Sequence, residues 1–127
     1  MGKRAQALAD FESGLSYAPD NHRCLLEAGR ASIDLQEIDK AVEFFEKALD
    51  ITTIDESAIV GLSYSLSLRG LRETQEKNFG AAIKDLTRAL NLCPETWEIL
   101  YNLGNAYLKS GDYQSAQHQY EKALKIN

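Results

Sequence analysis

Asn102-Leu103-Gly104-Asn105-Ala106-Tyr107, followed by Gly111-Asp112-Tyr113 and then Tyr120-Glu121-Lys122-Ala123-Leu124, is the stretch that decides the fold. Leu100, Leu103, Gly104 and Tyr107 share one face of a helix. Ala116, Tyr120, Ala123 and Leu124 form a second row at the spacing i, i+4, i+7, i+8, again one helical face. Between the two rows, Gly111 suits a left-handed helix cap and Asp112 suits the start of the next helix. Two amphipathic helices folded back on one another are predicted.

The second row recurs upstream. Ala7, Ala41, Ala82 and Ala116 follow one another at steps of 34, 41 and 34 along the chain. The same register holds for Phe11, Phe45, Leu86 and Tyr120, and for Gly14, Ala48, Ala89 and Ala123. It holds again for Leu15, Leu49, Leu90 and Leu124, and for Tyr17, Ile51, Leu92 and Ile126. Small residues at the first and third places let a neighbouring helix come close, while the large residue between them fills the adjoining groove. Pro19 and Pro94 follow two residues later and end the helix by removing an amide donor, with Thr53 in that place between them. A partner row precedes each: Leu25, Ala28, Gly29 and Ser32 in one unit, Ile59, Leu62, Ser63 and Leu66 in the next. Thr53 and Glu56 have capping-box spacing ahead of the latter.

A helix–turn–helix with a period of about 34 residues and small residues at these places resembles the tetratricopeptide repeat (TPR). The resemblance covers nearly the whole chain. It departs where Leu100 stands in the place the family often gives to tryptophan; Trp97 is expected to pack near the junction with the preceding unit. The fold it implies is all-α, a right-handed superhelical solenoid of antiparallel helix pairs with about seven helices. A single TPR domain is expected over 1–127: 3–19 as the second helix of a truncated repeat, 22–55 and 56–96 as repeats, and 97–127 as a repeat lacking its end cap. Such ends read as a piece of a longer protein.

The middle unit is seven residues too long, the difference between 41 and 34, and the excess falls near 68–77. One extra turn on each helix keeps the apolar rows in register. Gly70 would then end one helix, Thr74 would cap the next, and Glu73 and Lys77 would pair across a helical turn. A flexible loop is the alternative.

The 127 residues are 44% hydrophobic and 26% charged, too apolar for a disordered chain and enough for a core without a metal or disulfide staple. Fourteen basic against 19 acidic residues leave a net charge of −5, which opposes a nucleic-acid partner. No segment approaches the roughly 20 apolar residues of a membrane span, and the N-terminus lacks the apolar run of a signal peptide. A soluble, cytoplasmic (intracellular) protein away from membranes is expected. Cys24 and Cys93 are too few for a secreted scaffold and read as two reduced thiols, a single bridge being the alternative.

Catalytic signatures are missing: there is no Gly-rich phosphate loop, no Gly-x-Ser-x-Gly and no His-Glu-x-x-His. His22 and Cys24 diverge by about 200° on a helix and make a poor pair of metal ligands. His118, between Gln117 and Gln119, reads as solvent surface. Glu43 with Glu46, and Asp34 with Glu37, read as hydrated faces. Nothing in the sequence promises the burial that raises a carboxylate's pKa. No enzyme, metal or cofactor is expected.

The family resemblance implies that the first helix of each pair lines a concave groove for an extended or helical peptide. The residues carried over to it are Arg23, Leu26, Glu27, Arg30, Ile33 and Asp34 in the first complete unit. The middle unit adds Ser57, Val60, Gly61, Tyr64 and Leu68; the last adds Glu98, Tyr101, Asn102, Asn105, Leu108 and Lys109. The clamp that grips a chaperone's C-terminal carboxylate would fall on Leu26, Arg30, Gly61, Glu98 and Asn102, none of which supplies the expected residue. A backbone-holding asparagine ladder would fall on Glu27, Gly61 and Asn102, and also fails. What the resemblance leaves is a partly apolar groove with Tyr64 and Tyr101, suited to a protein or peptide partner. Arg69, Arg72, Glu73 and Lys77 would form a second contact on a polar protruding corner. Self-association through uncapped ends, or service as the arm of a larger enzyme, are the alternative roles.

Overall fold

A computed structural model of the chain describes residues 2–18 and 21–126; Pro19, read above as a helix terminator, lies outside them. Among the described residues the regular elements are seven α-helices: α1 (Gly2–Tyr17), α2 (His22–Asp34), α3 (Ile38–Ile51), α4 (Glu56–Gln75), α5 (Phe79–Leu92), α6 (Trp97–Ser110) and α7 (Tyr113–Ile126). They fall into two compact units, Met1–Ser65 and Leu66–Asn127.

Side-chain caps set where three helices begin. Asn21 Oδ1 accepts from the Cys24 amide at 3.1 Å ahead of α2, and Asp112 Oδ1 from the Ser115 amide at 3.1 Å ahead of α7. At α4 the cap is Asp55 and not Thr53: its Oδ1 accepts from the amides of Ser57 at 2.9 Å and Ala58 at 3.4 Å. Three helices end alike. The amides of Glu37, Asn78 and Asp112 reach back to the carbonyls of Ser32, Glu73 and Tyr107 at 2.8, 2.8 and 3.0 Å. The residue before each amide is left-handed: Gln36, Lys77 and Gly111, with φ of 61°, 66° and 95°.

In the first unit α1 packs on α2, and α2 on α3. Leu25, Ala48 and Ala58 form the centre, with Leu15, Leu26, Phe44 and Leu49 around it. Phe45 of α3 is buried against two glycines: a β-carbon on Gly29 would lie 2.6 Å from its ring, and one on Gly61 2.5 Å. In the second unit α5 packs on α6 and α6 on α7. Gly70 of α4 abuts Leu86, and Gly104 abuts Tyr120, at 2.6 and 2.7 Å by the same measure.

Gly29–Phe45, Gly70–Leu86 and Gly104–Tyr120 each join position i to position i+16, which defines a common register for the three antiparallel pairs. The seven-residue excess therefore does not divide between two helices. It lies wholly on α4, which has 20 residues against 13 in α2, while α3, α5 and α7 have 14 each. Seven residues are close to two full turns, so Ser63 and Gly70 fall on the same face of α4 and the longer helix keeps its buried row. Gly70 sits inside α4 rather than ending it. Thr74 does not cap α5; its hydroxyl donates to the Gly70 carbonyl at 2.8 Å. Glu73 turns inward instead of pairing with Lys77, and the surface pair is Arg72–Glu76, 3.5 Å apart.

No helix among the described residues is long and apolar enough to cross a membrane. Cys24 and Cys93 are free and half-buried.

Candidate partner-binding clefts

The close approach of Gly29 and Gly61 to Phe45 has an outward consequence. Without side chains at those positions, the ring of Phe45 becomes the floor of a cleft of about 410 Å³ between α2 and α4. Ile33, Val60 and Tyr64 contribute apolar wall, and Arg30, Glu56 and Ser57 stand around it. Val60 is 53% exposed and Tyr64 54%, so both offer surface that packing has not used. Arg30 is paired with Glu27, which fixes the guanidinium at the edge.

Of the groove residues read from the sequence, Arg30, Ile33, Ser57, Val60, Gly61 and Tyr64 are brought together here. Leu26 does not line this cleft: it is half-buried and packs on the Leu25–Ala48–Ala58 centre. Arg23 and Asp34 are exposed but do not line the cleft. Phe45 and Glu56 also line the cleft and were not among the groove residues read from the sequence. Phe45 reads as an ordinary core residue of a second helix, and its only signal is a glycine at i−16 and another at i+16, Gly29 and Gly61.

The second unit carries a separate apolar cleft of about 290 Å³, lined by Trp97, Tyr101, Tyr120, Ala123 and Leu124. The rings of Tyr101 and Tyr120 are 5.8 Å apart and tilted by 52°. Burial, with a smaller contribution from Tyr101, pushes the Tyr120 phenol up, and its hydroxyl donates to Asn105 Oδ1. Asn105 is thus a packing partner of Tyr120. Trp97 opens α6, 39% exposed, and lines this cleft. Asn102 and Leu68 are half-buried, and Glu98, Leu108 and Lys109 exposed, without joining either cleft.

The polar corner is less open than its composition suggests. Arg69 Nε and Nη2 grip Asp85 Oδ2 and Oδ1 at 2.8 and 3.0 Å. Glu73 and Arg72 are half-buried, and of the four expected contacts only Lys77 is exposed. Elsewhere, His22 at the head of α2 is bonded through Nε2 to Asp55 Oδ2, tying the start of α2 to the start of α4. That bond, opposed by desolvation and aided by the amides of Ala58 and Ser57, holds the Asp55 carboxyl below the usual carboxylate range. Among the described residues no group of three or more His, Cys, Asp and Glu side chains gathers as a metal site.

Family models for the tetratricopeptide repeat match residues 1–59 and 97–127, and a TPR-repeat model matches 70–111. The chain belongs to the tetratricopeptide repeat family. It is 30% identical over 114 residues to heat shock protein STI1 of Saccharomyces cerevisiae, covering 89% of this chain and 18% of that protein. It is 29% identical over 124 residues to the BBSome complex member BBS4 of Bos taurus, covering 98% and 22%. Superkiller complex protein 3 of Homo sapiens is 33% identical over 103 residues, covering 80% and 6%. The chain thus spans less than a quarter of the length of these relatives. Among solved structures, a crystal structure of MamA is 25% identical with a TM-score of 0.69, covering 99% of this chain and 70% of that one. A second MamA crystal structure is 26% identical with a TM-score of 0.69, covering 98% and 64%. Two of the curated relatives are named as parts of complexes, and TPR proteins of this kind are protein-interaction scaffolds.

Proposed function

We propose that this TPR segment is a non-catalytic, intracellular binding module that holds a peptide or helical segment of a partner protein, with the Phe45 cleft receiving an apolar side chain. The observation that carries the reading is the pair of half-exposed walls, Val60 and Tyr64, over a floor that two glycines leave bare. A volume of about 410 Å³ has room for one large side chain and the backbone around it. Tyr64 suits such a contact because it buries area with few rotatable bonds. The surrounding Arg30 and Glu56 leave the edge of mixed sign, in keeping with a protein ligand rather than a polyanion.

A displayed library of random peptides, panned on the chain, tests this. Peptides enriched on the wild type should lose binding to Tyr64→Ala with Val60→Ser and keep it on Tyr101→Ala. Enriched peptides that bind the double variant as well as the wild type would overturn the cleft assignment.

The Trp97–Tyr101–Tyr120–Leu124 cleft favours a second reading, self-association, because Leu124 is 75% exposed on an almost wholly apolar lining. Sedimentation across a concentration range tests it: Leu124→Lys should abolish any dimer, and a strictly monomeric wild type rules it out.

A further inference from the structure

The common register of the three helix pairs makes one set of positions anomalous. One long repeat earlier in the chain, the places of Arg69, Glu73 and Asp85 are held by Ala28, Ser32 and Phe44. One short repeat later they are held by Leu103, Tyr107 and Gln119. The sister pairs thus have uncharged residues there, and Ser32 satisfies itself on the Ala28 carbonyl of its own helix at 2.8 Å. Of the three pairs, the lengthened one places two carboxyls and a guanidinium at this level. Asp85 is 8% exposed and takes both arms of the Arg69 fork. Glu73, one turn further along α4, faces the same Asp85, and its Oε1 is buried with no hydrogen-bond partner.

Two carboxylates cannot share a hydrogen bond unless one of them keeps a proton. The assignment of that proton follows from the surroundings. Asp85 is opposed by burial but held low by the Arg69 fork, by Glu73 and by the charges of Arg69 and Arg88. Glu73 loses solvent and faces Asp85, with Arg69 and Arg72 pulling the other way more weakly, and is pushed up to about 7. The proton therefore rides on Glu73 and bridges α4 to α5.

We propose that Arg69, Glu73 and Asp85 form a proton-loaded latch: with the proton in place the last turn of α4 is fastened to α5, and its loss frees that turn together with the Arg72–Lys77 corner. The freed portion is the end of α4 beyond Gly70, residues 71–75. This surface is distinct from the Phe45 cleft, so the latch stands or falls independently of the proposed binding role.

The sign of the effect is fixed. The folded chain holds the Glu73 proton more tightly than the unfolded chain, so stability falls as pH rises from the ordinary carboxylate range to about 7, then levels off. Glu73→Gln keeps a donor toward Asp85 and cannot ionise. Urea unfolding of both proteins between pH 5 and 8 gives the unfolding constant of the wild type relative to that of Glu73→Gln. That ratio should rise with pH by up to about tenfold per pH unit and flatten above neutrality. His22 and His118 are common to both proteins and cancel in the ratio. A ratio independent of pH overturns the latch. Should Glu73→Gln fail to fold, the carbon-13 shift of the Glu73 carboxyl in the wild type decides: a midpoint near 7 supports the latch, and one in the ordinary carboxylate range overturns it.

Discussion

Gly61 of α4 and Phe45 of α3 are so close that a β-carbon on Gly61 would lie 2.5 Å from Cε1 of the ring. Gly29 of α2 meets the same ring at 2.6 Å, and Phe45, 1% exposed, has little room to retreat. Gly29→Ala and Gly61→Ala are each expected to destabilise the chain by about 1–3 kcal/mol, the usual range for overpacking, despite the better helix propensity of alanine. Gly80, which has nothing within 4 Å of its absent side chain, supplies the control. Gly80→Ala should stabilise by about 0.5–1 kcal/mol. Urea midpoints check both, and a Gly61→Ala protein as stable as Gly80→Ala would remove the basis for the cleft floor.

Gln36, Lys77 and Gly111 occupy the same left-handed position after α2, α4 and α6, but only Gly111 has the residue suited to it. A side chain in that region costs about 1–2 kcal/mol in strain. Gln36→Gly and Lys77→Gly are each expected to raise stability by about 1 kcal/mol, and Gly111→Ala to lower it by a similar amount. Thermal melts of the three variants measure this.

The helix rows were legible because small and large residues alternate at helical spacing in every unit, and because Gly111-Asp112 marks its turn openly. Gln36 and Lys77 gave no such mark, since the left-handed bend there is imposed by the helix-end hydrogen bonds. Gly70 misled because glycine reads as a helix end, whereas here it makes room for Leu86. Asp85 and Glu73 lie on different helices, and nothing local announces that folding brings them together. Six of the eight residues lining the candidate cleft were legible as first-helix surface. Its floor was not, because Phe45 is recognisable only through glycines on two other helices.

Asp55 predicts an acid dependence. Its folded carboxyl lies below the usual range, chiefly because of the His22 bond, so the stabilisation is present above the unfolded value and is lost as pH falls through the folded one. Asp55→Asn should therefore lose stability less steeply than the wild type on acidification below the ordinary carboxylate range. Urea unfolding at stepped acidic pH gives the two slopes, and equal slopes would show that the His22–Asp55 bond does not act on the carboxyl.

Ala89 and Ala123 hold the same place in the repeat register, yet their surroundings call for opposite outcomes. Ala89 is fully buried on α5, which packs on α6. Ala123 is 7% exposed on α7 and lines the open cleft with Tyr101, Tyr120 and Leu124. A leucine at position 89 has to displace packed neighbours, at a cost of about 1–3 kcal/mol. A leucine at position 123 can extend into a cleft of about 290 Å³, so Ala123→Leu is expected to cost well under that. Denaturant midpoints for the two variants separate the cases. Equal losses would mean that α7 is closed over at Ala123, and the apolar cleft would then have no room for a second copy of the chain.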